Sequence, residues 1–495
     1  MFFILLLLGA ITLFYVWLKW NYSHWKRNNV PGPDPTYIFG NVGSTLNFSE
    51  HFGIVAENWY KNFPNVPYVG YYKMMKPAVL LRDPELIKDV TTTNFNSFRN
   101  NDANISKRFD PLTATNPFFS EDDDWKEGRK SISPMFSQNR LKNILPVMNE
   151  VADDFIKFIK SYPTNTNFNA KDLSTRFTTE NVIKTAFSID PGCFEKDEQS
   201  EFLKVGKDLF APSFLVGLKF LAIPFLPKWA FELIPVPFVP PAMDTWFRNL
   251  VRINKNSRSK DYQSNDLFQT LLQIQEKHNF DETFLAGHSL SFFMDGTETS
   301  AIALSFVLYE LAQNPQCQTI LYEEILRTIT KYDGKITYDA LQEMTYLESI
   351  IYEATRLHPP ALYLAKLCNK PYTLPKIANQ QKPTTIQPGT SITIPILGIH
   401  MDPKYYTDPE KFKPERFNQE EQRNRHKETF LTFGEGPRIC LGMRFAVLQM
   451  KVALVRIALN LHIKLSPQHK PIVIDTQSLL LYPKDGILLQ FESRQ

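Results

Sequence analysis

Glycine is scarce in this chain, at 19 of 495 residues against 35 prolines. No glycine- or serine-rich linker divides the sequence, and it contains no low-complexity tract and no repeat of fixed period. A composition of 43% apolar and 22% charged residues excludes disordered and fibrous classes. Cysteine is equally sparse. Cys193, Cys317, Cys368 and Cys440 lie far apart without a CxxC spacing. That argues against a disulfide scaffold or a structural zinc site, and points to a reducing compartment. Neither sign of charge dominates: 55 basic and 52 acidic residues leave +3, too little to signal a nucleic-acid partner. No glycine-rich dinucleotide fingerprint occurs, and there is no room for a flavin module.

Charge is absent altogether from Met1 to Leu18, a run made mostly of Leu, Ile and Phe. At about 1.5 Å per helical residue it approaches the ~30 Å hydrocarbon core of a bilayer. Tyr15, Trp17 and Trp20 sit at its downstream end, where an aromatic belt belongs. Lys19, Lys26 and Arg27 follow, and no acid precedes Asp34. These three cations equal the whole net charge; the remainder balances at 52 against 52. A cleaved signal peptide would need a basic start and a small-x-small site, and neither is present. The expectation is an uncleaved transmembrane anchor at 1–20 and a basic, Pro-rich linker at 21–35. A single large domain at 36–495 then lies on the cytosolic face.

Tyr68 to Tyr72, Ala78 to Leu81 and Ser391 to Pro395 read as short strands, and most of the rest shows helical spacing. The fold class expected is mainly α with minor β (α+β). Leu209 to Phe247 is rich in Phe, Leu and Ile but carries seven prolines, which defeat a second spanning helix. It reads either as a patch dipping into the membrane surface or as a lid packed on the core. The acids Glu121 to Asp124 read as a solvated turn before a helix at Trp125.

The strongest local signal is Phe433-Gly434-Glu435-Gly436-Pro437-Arg438-Ile439-Cys440-Leu441-Gly442, directly before an apolar helical run. Its glycines permit a tight loop, and Cys440 would sit at a helix start, where free amides favour the thiolate. A thiolate so held is a plausible axial ligand to haem iron. Arg438 could pair a propionate and Phe433 could cover the sulfur. For an isolated cysteine, a buried structural role would be the better reading.

This segment resembles the FxxGxRxCxG signature of the cytochrome P-450 family of haem-thiolate monooxygenases. Glu353-Ala354-Thr355-Arg356 is similar to its ExxR motif, Pro414-Glu415-Arg416-Phe417 to its PERF box, and Trp125-Lys126-Glu127-Gly128-Arg129 to its WxxxR element. Asp295-Gly296-Thr297-Glu298-Thr299-Ser300 is similar to its oxygen-activating helix. The anchor and Pro-rich hinge look like the microsomal members, and the phrasing most resembles insect members related to drug-metabolising types.

The resemblance implies a single haem domain with haem b on Cys440. Arg438, Trp125, Arg129 and Lys366 then stand at the propionates, and Phe433 by the sulfur. Thr299 and Glu298 would handle protons during oxygen activation. Glu353, Arg356 and Arg416 would lock the scaffold. Two residues depart from the pattern. Asp295 replaces a usual Ala or Gly; it could alter proton delivery, hold a water, bind a polar substrate group, or turn into a polar pocket. Lys366 replaces an Arg and offers charge without a bidentate fork. Trp125 and Arg129, four apart, also read as a packed ring and a surface cation.

The function implied is oxygen insertion into an apolar xenobiotic, steroid or lipid at the endoplasmic reticulum membrane. Electrons would come from NADPH through a reductase partner, with cytochrome b5 as a further partner and no nucleic acid. Arg423, Arg425, Lys427, Arg438 and Arg444 could meet an acidic partner. Two alternatives remain: a haem-thiolate isomerase or dehydratase of peroxides, and a non-catalytic membrane protein that binds haem or lipid.

Overall fold

A computed structural model describes residues 1–196, 200–258, 264–378 and 380–494. Its axis is the helix Glu282–Gln313, buried along most of its length. The Asp281 side chain caps it by accepting from Phe284 N at 2.8 Å, and Pro315 opens the next helix after Asn314 ends this one. Against it pack the helices Ala170–Phe187, Thr345–Leu357 and Met443–Asn460. Gln138–Lys160 joins them, and together they form the largest apolar core. The architecture is α+β with helix dominant.

The strands gather into small sheets. The main one runs Tyr68–Lys73, Lys76–Leu81, Ser391–Ile394, Leu364–Leu367, Asn100–Asn101. All its pairings are antiparallel except that of Ala78 with Ser391, Val79 with Ile392 and Leu80 with Thr393. This sheet places Asn101 opposite Lys366. A second sheet of three strands ties Leu461–Leu465 and Leu488–Ser493 to Phe168–Asn169.

The chain holds 39 Phe against 7 Trp. Much of that excess lies in one cluster, where Phe187, Phe202, Phe220, Phe238, Phe247, Phe268, Phe292 and Phe293 are buried together. Aromatic burial of this kind stabilises by roughly 25 cal/mol for each Å² removed from water.

The helix Phe2–Tyr22 is the one helix among the described residues that is long and apolar enough alone to cross a membrane. Only Leu18 and Tyr22 on it are buried. The segment read as a linker is not loose. Trp25 is buried, its Nε1 donates to Tyr71 O at 2.9 Å, and Asn21 Nδ2 donates to Met75 O at 2.6 Å. Indole and amide groups at those positions dock on the first strand pair, so the chain leaves the helix already attached to the body.

Two further readings are refined. The acids Asp122 to Asp124 do not precede the helix but form its first turn, Asp122–Ile132. There they suit the positive end of the dipole, and Arg99 binds Asp122 at 2.7 Å. Between 201 and 256 the prolines punctuate helices Glu201–Phe210, Phe214–Phe225, Lys228–Leu233 and Pro241–Asn256. The first two are bent by 61° at their junction. Buried Phe220 and Ile223 share this segment with exposed Phe214, Leu215, Trp229 and Leu233, so it both packs on the core and presents an apolar surface.

Glu353 holds the scaffold. Its carboxylate has no exposed surface and accepts from Arg356 Nε at 2.7 Å and Nη2 at 2.8 Å. Arg416 Nε at 3.1 Å and Lys413 N at 2.9 Å complete it. Four donors reach the carboxylate, three on Oε1 and one on Oε2, and donors with opposite charge are the condition for burying such a charge tolerably. Removing one partner is another matter. Glu353→Ala should cost about 3–5 kcal/mol by stranding two arginines. Denaturant melts of the full chain check this; a loss below about 1 kcal/mol would contradict the hub.

Candidate functional site

The loop that ends in Cys440 is shaped by two glycines. Gly434 and Gly436 have φ of +72° and +73°, a region that disfavours side chains. At Gly436 a Cβ would also fall 2.0 Å from Thr91 O, so no larger residue fits. Cys440 N donates to Phe433 O at 2.8 Å and closes the turn, three residues before the helix Met443–Asn460 begins.

Cys193, Cys317 and Cys368 are buried, whereas Cys440 is exposed. It is nonetheless set among protein atoms, and that desolvation pushes the thiol up to about 11. The Gly442 N–H and Arg129 offset this in part, and the charge of Asp295 adds to it. The helix start therefore does not by itself lower the thiol, contrary to the sequence expectation: desolvation outweighs the amide. A bound cation would deprotonate the sulfur outright.

Around the thiol stand three cations that no described carboxylate pairs. Arg438 donates to main-chain oxygens: Arg99 O at 2.5 Å, Pro117 O at 2.9 Å and Ser120 O at 2.9 Å. Its guanidinium stacks 4.4 Å from the Trp125 ring. Burial pushes it down to about 9, with Arg129 contributing. Arg129 Nη2 donates to Ile439 O at 2.6 Å, and burial lowers it too. Lys366 donates to Asn101 Oδ1 at 3.1 Å. Burial, and then Arg438, hold it well below the usual ammonium range. Trp125 is buried against Phe95, and its Nε1 has no acceptor.

Arg438 and Arg425 were read as candidates for a partner-facing basic surface. Both turn inward, Arg425 to rest 4.4 Å from the Phe417 ring. Arg423, Lys427 and Arg444 remain exposed.

Across from the thiol runs the middle of the axial helix. Thr299 Oγ1 donates to Asp295 O at 2.8 Å. The carboxylate of Asp295 accepts from Asn116 Nδ2, at 3.1 and 3.0 Å to its two oxygens. Burial pushes it up to about 7, and Asn116 opposes the shift. Glu298 is not brought to this group. It is buried, bound through Oε2 to Lys171 Nζ at 3.0 Å, with Oε1 unpartnered. A Cβ on Gly296 would come 3.1 Å from Val182 Cγ2, so the missing side chain admits the neighbouring helix.

Asn116, Lys171 and Asn101 were not singled out in the sequence. Asn116 ends the short helix Pro111–Thr115; Lys171, 127 positions from its partner, carried no local signal.

The sequence profile described as cytochrome P-450 matches residues 30–491. Cytochrome P-450 9e2 of Blattella germanica is 31% identical over 98% of this chain and 96% of its own length. Probable cytochrome P-450 6a13 of Drosophila melanogaster is 33% identical over 97% of this chain and 96% of its own. Cytochrome P-450 6B1 of Papilio polyxenes is 32% identical over 99% and 100%.

The cofactor of such proteins is haem b, and the residues present fit it. An uncovered thiol suits the iron. Unpaired Arg129, Arg438 and Lys366, with the orphaned Trp125 Nε1, suit two propionates. Trp125→Phe keeps the ring between Arg438 and Phe95 and removes only the donor. Losing a hydrogen bond to a charged group costs about 1.5 kcal/mol, so haem transfer to apomyoglobin should speed up roughly tenfold. An unchanged rate would place no propionate at Nε1.

Proposed function

The chain belongs to the cytochrome P-450 family, and on that premise we propose that it is a membrane-anchored monooxygenase fed by a separate reductase. One atom of O2 enters an apolar small molecule, a xenobiotic, steroid or lipid, and the other leaves as water. Two electrons come from NADPH through the reductase, since the sequence carries no dinucleotide fingerprint. The observation that carries this reading is the meeting of an uncovered thiol with three cations, buried Lys366 and half-buried Arg129 and Arg438, that no described carboxylate pairs.

Cys440 would hold haem b, which would supply the cleavage of dioxygen and the oxygen insertion. The remaining roles belong to the chain. Arg129, Arg438, Lys366 and Trp125 hold the propionates and thereby orient the ring. Phe433 and the closed turn at Cys440 limit water at the sulfur, which preserves its donor strength.

Thr299 is the hydroxyl placed to move a proton. Its Oγ1–H points to the Asp295 carbonyl, so donation toward the site needs a rotation that gives up one hydrogen bond, about 1 kcal/mol. Asp295 can carry a proton near neutral pH at either carboxyl oxygen, because burial raises it to about 7. Glu298 would reach the relay only by leaving Lys171, a buried partner, so its contribution is gated by that pair.

Localisation follows from surfaces. The exposed helix Phe2–Tyr22 and the cations after it support an anchor in the endoplasmic reticulum with the body in the cytosol. We read residues 1–20 as that anchor and 36–495 as one haem domain, with the intervening segment docked on the sheet. Exposed Phe214, Leu215, Trp229 and Leu233 give the body a second apolar contact with lipid. Beside them Phe48, Phe52, Phe220, Phe225 and Tyr363 line a small apolar cleft on the same side of the body. Exposed Arg423, Lys427 and Arg444 suit an acidic redox partner.

Two outcomes test this. The reduced carbon-monoxide complex should show a strongly red-shifted Soret band that Cys440→Ala abolishes; a band that survives would remove Cys440 as ligand. With reductase and a turned-over substrate, Thr299→Ala should lower product formed per NADPH about tenfold, within the range of proton-transfer catalysis, and release the electrons as hydrogen peroxide. Unaltered coupling would mean that the protons travel another way.

A further inference from the structure

The axial helix carries into the site a carboxyl group, Asp295, that no described cation pairs. Asp295 and Cys440 are both exposed, and the charge of Asp295 acts on the thiol. No described cation pairs with it. Its one side-chain partner is Asn116, and that amide is fixed. Asn116 is 2% exposed, its N donates to Thr113 O at 3.0 Å, and its Oδ1 accepts from Phe118 N at 2.7 Å. The last contact sets which end of the amide faces Asp295: the NH2 group.

An ionised carboxylate offers about four lone-pair sites, and one NH2 group has two hydrogens. Two acceptor sites therefore remain directed elsewhere. No other described side chain donates to them. Phe292 lies one turn upstream, Phe119 beside Asn116 and Leu441 beside Cys440, all in the same apolar cluster. A carboxylate half-satisfied in apolar surroundings is costly, and its cost falls when a cation with a donor arrives.

We propose that Asp295 is a specificity-determining residue that recognises a protonated amine on an apolar substrate. The assignment rests on the monooxygenase reading and names the substrate class for that same site. The ammonium N–H bonds to the free carboxylate positions, and the apolar frame lies against the phenylalanine cluster. Asn116 is the positioning residue, holding the carboxylate in one orientation. This also accounts for an acid at a helix position beside Thr299, where a small residue would leave the site wholly apolar.

Three probes of one shape test it on the full-length, haem-loaded protein by equilibrium dialysis. They are N,N-dimethyl-4-phenylbutylamine, 4-phenylbutyl methyl ether and 5-phenylpentanoate: cation, neutral and anion. The wild type should bind the amine at least tenfold more tightly than the ether, and the carboxylate more weakly still. Asp295→Asn keeps the size and a hydrogen-bonding partner for Asn116. It should cost the amine at least tenfold while leaving the ether within about twofold. An ether bound as tightly as the amine by the wild type overturns the assignment, even if the variant does not load haem. So does an amine preference that persists in Asp295→Asn, or an equal loss for amine and ether. The reduced carbon-monoxide band is recorded on the same wild-type samples. A wrong ranking with that band intact sinks the amine assignment alone. A missing band sinks the haem-thiolate reading, and with it this one.

Discussion

A carboxylate with no exposed surface, Glu353, fixes where Cys440 can be. It binds Arg356, whose Nη1 donates to His400 O at 2.8 Å. His400 Nδ1 returns the contact to Arg356 O at 3.0 Å, and its Nε2 accepts from Leu431 N at 2.8 Å. Thr432 Oγ1 donates to Thr355 O at 3.0 Å, one residue before Arg356. The next residue is Phe433, whose carbonyl receives Cys440 N. The cysteine loop thus hangs by a chain of buried bonds from the Glu353 helix. The tautomer of His400 is set by its two main-chain partners: Nδ1 carries the proton and Nε2 accepts. Burial lowers its affinity for a second proton, with Arg356 contributing, so the link stays neutral and intact.

The protein treats its buried arginines in two opposite ways. Arg356 and Arg416 are given a carboxylate; Arg129 and Arg438 are given main-chain oxygens and an aromatic face. Carbonyl dipoles orient a guanidinium without cancelling its charge. The first arrangement is closed and serves geometry. The second leaves positive potential in a desolvated place, where an anionic group is bound far more strongly than at a surface. Lys366 extends the same design with a point charge, and Asn101 directs it. It lacks the fork of an Arg and stands on an interior strand, between Ser391–Ile394 and Asn100–Asn101.

How much of this was legible differs by the range of the interaction. The axial helix could be read from Asp281 and Pro315 because caps and breakers are local. Glu353 with Arg356, three apart, could be read for the same reason, and the glycine loop announced a turn. Asp122 to Asp124 misled because an acidic run fits both a solvated turn and a first helical turn; the helix start and the ion pair of Asp122 with Arg99 emerge only in the fold. The thiol's affinity for its proton was misjudged because a helix start is visible in sequence and desolvation is not. Lys171 could not have been found. It meets Glu298 only because Gly296 lets the two helices close on Val182.

That last contact separates two acids that the sequence sets side by side. Glu298 and Asp295 are three residues apart on one helix, and by periodicity alone they would share a task. The close helix approach gives Glu298 an ammonium of the protein's own, so its charge is spent inside the fold. Asp295 receives an amide, which steers a carboxylate but leaves its charge in place. An acid matched by a cation is silent toward a ligand. An acid matched only by a dipole still exerts a field on whatever enters, and Cys440 already registers that field. The electrostatic character of the site is therefore set by which acid was left without a cation, and that choice is made at Gly296, next to Asp295 and two residues before Glu298.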